Sequence, residues 1–312
     1  MIGRALYYKH LDGFRGISIF LVFLAHFLIL SPSNVLYFPF GSLGVRLFFV
    51  LSGFLITGIL LSSKDLCDLG QSKLYTFKAF YMRRAIRIFF AYYLWILFNL
   101  VVFGYHDRFM FDAFYLSNFY DIIYNNGHGN HYWSLAVEEQ FYLVWPVFVI
   151  FLTKRWLLCV LIAIFLSSVL LRLYFGLEGT QYLFLKKFPF FCFDALAGGA
   201  LIAYIVRYCT EEGVQRIKSY FPFSVFLSVL IVVVAMASLK LTGSKTGLYA
   251  ALLHTGFALM GMCGTFYCVF VAKERISVLS TFLLWKPLRY LGSISYGCYL
   301  YHIFVRSFVD KL

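Results

Sequence analysis

The chain has 312 residues, of which 62% are hydrophobic and 21% aromatic while only 13% are charged; this excludes a soluble globular domain and requires a polytopic integral membrane protein. The net charge of +13 does not make it a nucleic-acid binder, because the basic residues lie between apolar runs rather than on a soluble face. Its seven cysteines mostly sit inside apolar stretches without paired metal-ligand spacing, read as small buried hydrophobes, and are assigned no chemistry.

Apolar runs predict nine spans, at residues 11–30, 42–62, 86–104, 132–152, 156–174, 188–206, 222–239, 248–272 and 288–309, each long enough to cross a bilayer as a helix. The expected fold is all-α, a polytopic membrane helix bundle of about 9–10 transmembrane helices, with 1–312 as a single membrane-embedded domain. The opening MIGRALYYKHLDGF lacks the apolar core and small-residue site of a cleaved leader, so the first span is expected to remain as an anchor. Loops on the N-terminal side hold 17 basic residues against 8 on the other side, Arg172, Lys186 and Lys187 being counted among the 8. The positive-inside rule then places the N-terminus in the cytoplasm.

The first span, LDGFRGISIFLVFLAHFLIL, carries Arg15 and His26 where leucine would cost less, and an ionisable group at membrane depth points to function. Their 11-residue separation puts them within roughly 20° of one helical face and about 16 Å apart along the axis. In the second span Arg46 stands one turn inside the outer surface, where a cation needs a carboxylate or an anionic ligand; Gly41, Gly44, Ser52, Gly53 and Gly58 read as a helix-packing face. The next segment, FKAFYMRRAIRIFFAYYLW, clusters Arg83, Arg84 and Arg87 at the membrane surface. Guanidinium forks at that spacing suit phosphates such as those of coenzyme A, and equally suit lipid headgroups.

The segment from Tyr105 to His131 reads as a flexible outer loop; His128 and His131 lack a carboxylate at motif spacing, so no metal is expected. In the fourth span, HYWSLAVEEQFYLVWPVFVIFL, Glu138 and Glu139 point about 100° apart and should not face the same partner. His26, Arg46, these glutamates and Asp194 of FPFFCFDALAGGALIAYIV fall at comparable depth. They form either an ion-pair network tying four helices or a reaction centre in which a carboxylate orients a basic histidine, and the histidine favours the second. His302 lies in the outer half of the last span, and Trp133 beside the acidic pair is a further candidate for lining the site. The chain shows no internal repeat and no nucleotide-binding glycine loop.

Five stretches in order, LDGFRGISIFLVFLAH, GVRLFFVLSGFLIT, FYMRRAIRIFFAYYLW, WSLAVEEQFYLVWP and LGSISYGCYLYH, resemble the acyltransferase 3 family of integral-membrane acyltransferases, which O-acylate sugars of cell-surface polysaccharides. The Arg15 and His26 pair matches the family's arginine, ten residues, histidine signature, which implies His26 as the catalytic histidine. Arg83, Arg84 and Arg87 match its basic motif, associated with an acyl-coenzyme A donor; Glu138 and Glu139 match its acidic motif. Phe90 stands where members commonly have proline, Arg46 where many have aspartate, and the chain stops soon after His302 where members usually continue.

The resemblance implies a bacterial inner-membrane enzyme in the lipid bilayer, an acetyl group from acetyl-coenzyme A as the usual donor, and a glycan acceptor. No esterase-type domain is attached, so a second transfer step would call on a separate periplasmic partner. In this reading neutral His26 is the general base on an acceptor hydroxyl, Arg15 guides the donor arm, and Glu138 or Glu139 sets the histidine tautomer. The rival reading is a transporter or flippase with an intramembrane charge relay, against which the absent repeat and interrupted helix pair count.

Overall fold

A computed structural model describes residues 7–27, 38–104, 106–125, 131–272, 274 and 276–309. In chain order the helices are α1 (Lys9–Phe27), α2 (Phe40–Asp68), α3 (Lys73–Phe103), α4 (His106–Ala113), α5 (Ser117–Ile123), α6 (Tyr132–Phe151) and α7 (Lys154–Leu177). There follow α8 (Tyr182–Lys187), α9 (Phe193–Tyr208), α10 (Glu211–Thr242), α11 (Gly247–Phe266), α12 (Val278–Leu283), α13 (Lys286–Ser293) and α14 (Ser295–Val309). No strand occurs among the described residues.

Among the described residues, eight helical segments are long and apolar enough to cross a membrane: α1, α2, α3, α6, α7, α9 with the 3₁₀ turn from Pro189 before it, α10, and α11 with the π turn that continues it to Val271. The protein is a polytopic all-α membrane bundle. The ninth apolar run is broken. Its α13 and α14 meet at Ile294, and α14, at 15 residues, spans about 22 Å, short of a hydrocarbon core of about 30 Å. The third run starts well before residue 86, since Ser72 caps α3 by accepting from the Tyr75 N–H at 3.4 Å and extends the helix beyond its apolar part. That extension carries the arginine cluster.

Ends that alternate along the chain meet on the N-terminal face. Lys64, near the end of α2, donates to the carbonyls of Val149 at 3.0 Å, Ile150 at 3.4 Å and Leu152, placing a cation on the negative end of α6. Arg207 pairs with Asp65, tying the ends of α9 and α2. On the opposite face α4, α5 and α8 cover the start of α6 with a buried ionic network: Arg108 to Asp112 at 3.0 Å and Asp121 at 3.6 Å, and Lys187 to Asp121 at 2.8 Å. What reads from sequence as a flexible loop is two short helices held by charge; residues 126–130, including His128, lie outside the described residues.

α2 runs through the middle and packs on α1, α6, α9 and α11. Its closest partner is α9, where a Cβ on Gly53 would stand 1.9 Å from the Leu196 carbonyl oxygen and one on Gly199 would stand 1.9 Å from that of Val50. Small residues on both helices let the backbones touch, which in a bilayer replaces the hydrophobic drive that lipid cannot supply. Much of α3 and α10 instead presents exposed apolar side chains, such as Val101, Phe226 and Val233, as lipid-facing helices do.

Substitution at this crossing is expected to separate the helices. Gly53→Val or Gly199→Val should sharply lower the yield and thermal stability of monodisperse protein in detergent, whereas Gly58→Ala, with nothing within 4 Å of where the added methyl would stand, should leave both unchanged.

Candidate active site

A cavity of about 430 Å³ runs into the bundle among α1, α2, α3, α6, α13 and α14. On α2 its wall extends from Ile59 to Val45, a length of about 21 Å at helical rise. Exposed Arg83 and Arg87 stand at its rim, with Arg84 and Arg15 inside. The wall of α6 supplies Ser134, Glu138 and Tyr142, one residue per turn on a single face, and Glu139 beside them. The break at Ile294 turns Ser293, Ser295 and Tyr296 toward the same space, and Tyr299 closes it at the deep end.

Both glutamates therefore reach one cavity. Ser52 donates to Glu138 at 3.0 Å and Tyr142 at 3.2 Å, while Arg84 acts electrostatically on Glu138 and Glu139 alike. The expectation that two carboxylates about 100° apart could not share a partner is corrected: the cavity is wide and the guanidinium arm long. Arg84 lies over the Tyr142 ring at 3.9 Å, a cation–π seat that fixes it there. Arg15 is within 3.9 Å of Asp12 and also faces Glu138 and Arg87.

Arg46 and Asp194 do not join this cavity. Arg46 donates to Asp194 at 3.1 Å and to the Phe191 carbonyl at 3.1 Å, and Arg172 holds the other Asp194 oxygen at 2.7 Å. All three side chains are at most 1% exposed. The charge that Arg46 needs is thus supplied from α9 and shared with α7. Arg172, counted from sequence as an outer-loop charge, is a correction: it lies in α7 at full burial, and its signal was an arginine with apolar residues on both sides in LSSVLLRLYFG. Trp133 does not line the cavity either; it packs edge-on behind the lining residue Phe49 at 6.1 Å, with the Lys186 and Lys187 ammonium groups 5.7 and 5.9 Å from its ring.

His26, the penultimate residue of α1, packs on His302 with ring centroids 4.7 Å apart, and His302 packs on His131 at 4.7 Å. Tyr299 borders both the cavity and these rings: it lines the cavity, and its ring lies 5.1 Å from His131 and 5.5 Å from His302. Its hydroxyl is 2.5 Å from the Ser134 hydroxyl. The points of supposed equal depth thus resolve into three centres: an anionic and cationic cavity, a buried ion cluster, and a histidine row. Sequence reading took Ser52 for part of a packing face and passed over Tyr299, Ser134 and Tyr142; the spacing of 134, 138 and 142 on one helix face was the available signal for the last two. No group of three or more histidines, cysteines or carboxylates with metal-holding geometry occurs among the described residues.

On the outer face, burial first and the neighbouring His302 and His26 rings next hold His131 well below the ordinary imidazole range, so that it is neutral. Burial pushes Asp121 up against the pull of Lys187 and Arg108. Burial, then the neighbouring Lys187 and Lys245, lowers Lys186 to about 7.

Fold and site define a polytopic membrane protein whose charges converge on a deep cavity at one face. The sequence model of the acyltransferase domain family matches residues 8–312, and the chain belongs to that family. The putative peptidoglycan O-acetyltransferase YrhL of Bacillus subtilis is 29% identical over 322 residues, covering 95% of this chain and 48% of that protein. The peptidoglycan O-acetyltransferase OatA of Listeria monocytogenes is 27% identical over 332 residues, covering 95% and 49%. The O-acetyltransferase OatA of Staphylococcus aureus is 24% identical over 342 residues, covering 98% and 51%. The chain spans about half the length of these curated relatives. No solved structure matches it.

Two outcomes are expected from the buried charges. Asp194→Asn leaves two guanidinium groups without their carboxylate and should destabilise the protein by about 3–5 kcal/mol, far more than Arg46→Leu, which leaves Asp194 paired with Arg172; thermal unfolding of both variants in detergent checks this. Lys186 titrates near 7 in the folded protein and near 10.4 when unfolded, so between those values only the unfolded state binds its proton. Stability should therefore rise as pH is raised from 7 to 9, and Lys186→Met should flatten that rise.

Proposed function

We propose that the chain is a membrane-embedded O-acyltransferase domain that carries an acyl group, acetyl in the first instance, from acyl-coenzyme A to a hydroxyl of a cell-surface glycan. The observation that carries this reading is the cavity itself: guanidinium groups at the rim, carboxylates and hydroxyls along the wall, and a histidine row behind Tyr299 at the deep end. Peptidoglycan is the acceptor suggested by the name of the Listeria relative. The basic excess on the N-terminal side favours a cytoplasmic mouth in a bacterial inner membrane.

In this mechanism Arg83, Arg84 and Arg87 take the phosphates of the donor by charge-assisted, forked hydrogen bonds. The cavity receives the pantetheine arm past Arg15, and its slot along α2 leads the thioester inward. Neutral His26 removes the proton of an acceptor hydroxyl arriving from the outer face, the oxygen attacks the thioester carbon, and the coenzyme A thiolate leaves and is protonated. A general base in that position contributes about 10²- to 10⁴-fold. Glu138 and Glu139 balance the cations that remain when no donor is bound.

The test is coenzyme A release from acetyl-coenzyme A by membranes containing the chain, with surface glycans examined for added acetyl by mass spectrometry. His26→Ala should abolish both signals at unchanged protein abundance. Paired Arg83→Gln and Arg87→Gln substitutions should raise KM for acetyl-coenzyme A by tenfold or more, on the order of a lost charge-assisted contact, with a smaller effect on kcat. Full activity of His26→Ala, or an arginine effect confined to the acceptor, would count against this assignment.

A further inference from the structure

Three donor groups on the face opposite the arginine rim are left unspent by the protein. Lys186 of α8 has its ammonium 5.7 Å from the Trp133 ring and 5.9 Å from the Tyr182 ring, and these ring contacts are all that the ammonium makes among the described residues. The carboxylate that acts on it, Asp121, is already taken by Lys187 at 2.8 Å and Arg108 at 3.6 Å. Arg46 of α2 uses Nη1 for Asp194 and the Phe191 carbonyl, whereas its Nη2 is buried with no hydrogen-bond partner among the described residues. His254 of α11 is 1% exposed, and neither of its ring nitrogens has a hydrogen-bond partner among them. A neutral imidazole still carries one N–H, and a buried donor left unpaired costs stability.

The three groups lie together. The Trp133 ring beside Lys186 packs at 6.1 Å on Phe49, and the Arg46 guanidinium stands 5.9 Å from the Phe49 ring. On the other side of Lys186, the Tyr182 ring is 6.1 Å from His254. Lys186 and Arg46 act electrostatically on each other, and both act on His254. Lys186 is half-buried and so forms the entry, while Arg46 and His254 lie deeper. An oxyanion suits such a set, because its lone pairs accept from ammonium, guanidinium and imidazole N–H at once, by charge-assisted hydrogen bonds. We propose that this is the anchoring subsite of the acceptor: it takes an oxyanion, the carboxylate or phosphate of an acidic glycan, on Lys186 with the Arg46 Nη2 and the His254 N–H behind it. The proposal rests on the acyl-transfer reading above and adds that the acceptor is acidic. Position separates this subsite from the donor's: α8 covers the start of α6 on the face away from Arg83 and Arg87, and Trp133 packs directly behind Phe49 of the cavity wall. An acceptor held there by its acid group has its hydroxyls on the side from which the mechanism brings them.

The test is a binding measurement on the full chain purified in detergent, titrated by calorimetry with glucuronate, with glucose at matched ionic strength, and with inorganic phosphate. Glucuronate and glucose share a pyranose ring and differ by the carboxylate. Glucuronate should bind at least tenfold more tightly than glucose, on the order of one charge-assisted contact. Lys186→Met should remove that preference, and Lys186→Arg, which keeps the charge, should retain most of it; where the methionine variant fails to accumulate, Lys186→Gln takes its place. Equal binding of the two sugars overturns the proposal, as does an undiminished preference in Lys186→Met. Phosphate bound through Lys186 without any glucuronate binding would mark a site for a free anion and overturn the assignment to an acceptor. Loss of glucuronate binding when phosphatidylcholine nanodiscs are replaced by phosphatidylglycerol ones would give the site to a lipid phosphate, with the same consequence. The measurement needs no turnover, so failure of this subsite and failure of the acyl-transfer assay are told apart.

Discussion

One carboxylate between two arginines sets the terms for the rest of the structure. Asp194 of α9 is shared by Arg46 of α2 and Arg172 of α7, at full burial. In hydrocarbon each of these charges alone would be prohibitive, so the three helices can occupy the membrane together only in the arrangement that joins them. The close contact of α2 with α9 through Gly53 and Gly199 is the steric counterpart of the same joint. With α2 pinned on that side, its opposite face, carrying Ser52, Leu55 and Ile59, is left to line the cavity.

The cavity follows a different rule. Its four guanidinium groups, Arg15, Arg83, Arg84 and Arg87, outnumber the carboxylates Glu138 and Glu139, so it holds positive charge that the protein does not neutralise within its wall. Such a surplus suits an anionic ligand, and the exposed rim position of Arg83 and Arg87 keeps part of it near water. The charges of Arg46, Asp194 and Arg172 are buried and matched, whereas Arg83 and Arg87 stand exposed at the rim.

Between the cavity and the opposite face stands α14. Because α13 and α14 meet at Ile294 rather than forming one span, Tyr299 comes to the end of the cavity and His302 to the ring of His26. Two consecutive carbonyls of this helix, those of Tyr299 and Leu300, orient two imidazoles. The same short helix thus ends the cavity and builds the surroundings of the proposed base.

The helical membrane class, the approximate places of its spans and the residues Arg15, Arg83, Arg84, Arg87, Glu138 and Glu139 were legible in the sequence, because bilayer length and the cost of an intramembrane charge act on each segment separately. The sorting of those charges was not. Depth along a span placed His26, Arg46, Glu138 and Asp194 at one level, but depth says nothing of azimuth, and only the packed bundle decided that Arg46 turns to α9, Glu138 to Ser52 of α2 and His26 to α14. Arg172 passed for a loop charge and Tyr299 was passed over for the same reason. A linear chain determines how much charge must be buried and at what height; which charges meet depends on how helices rotate about their axes and against one another, and that is settled by contacts between residues far apart in sequence.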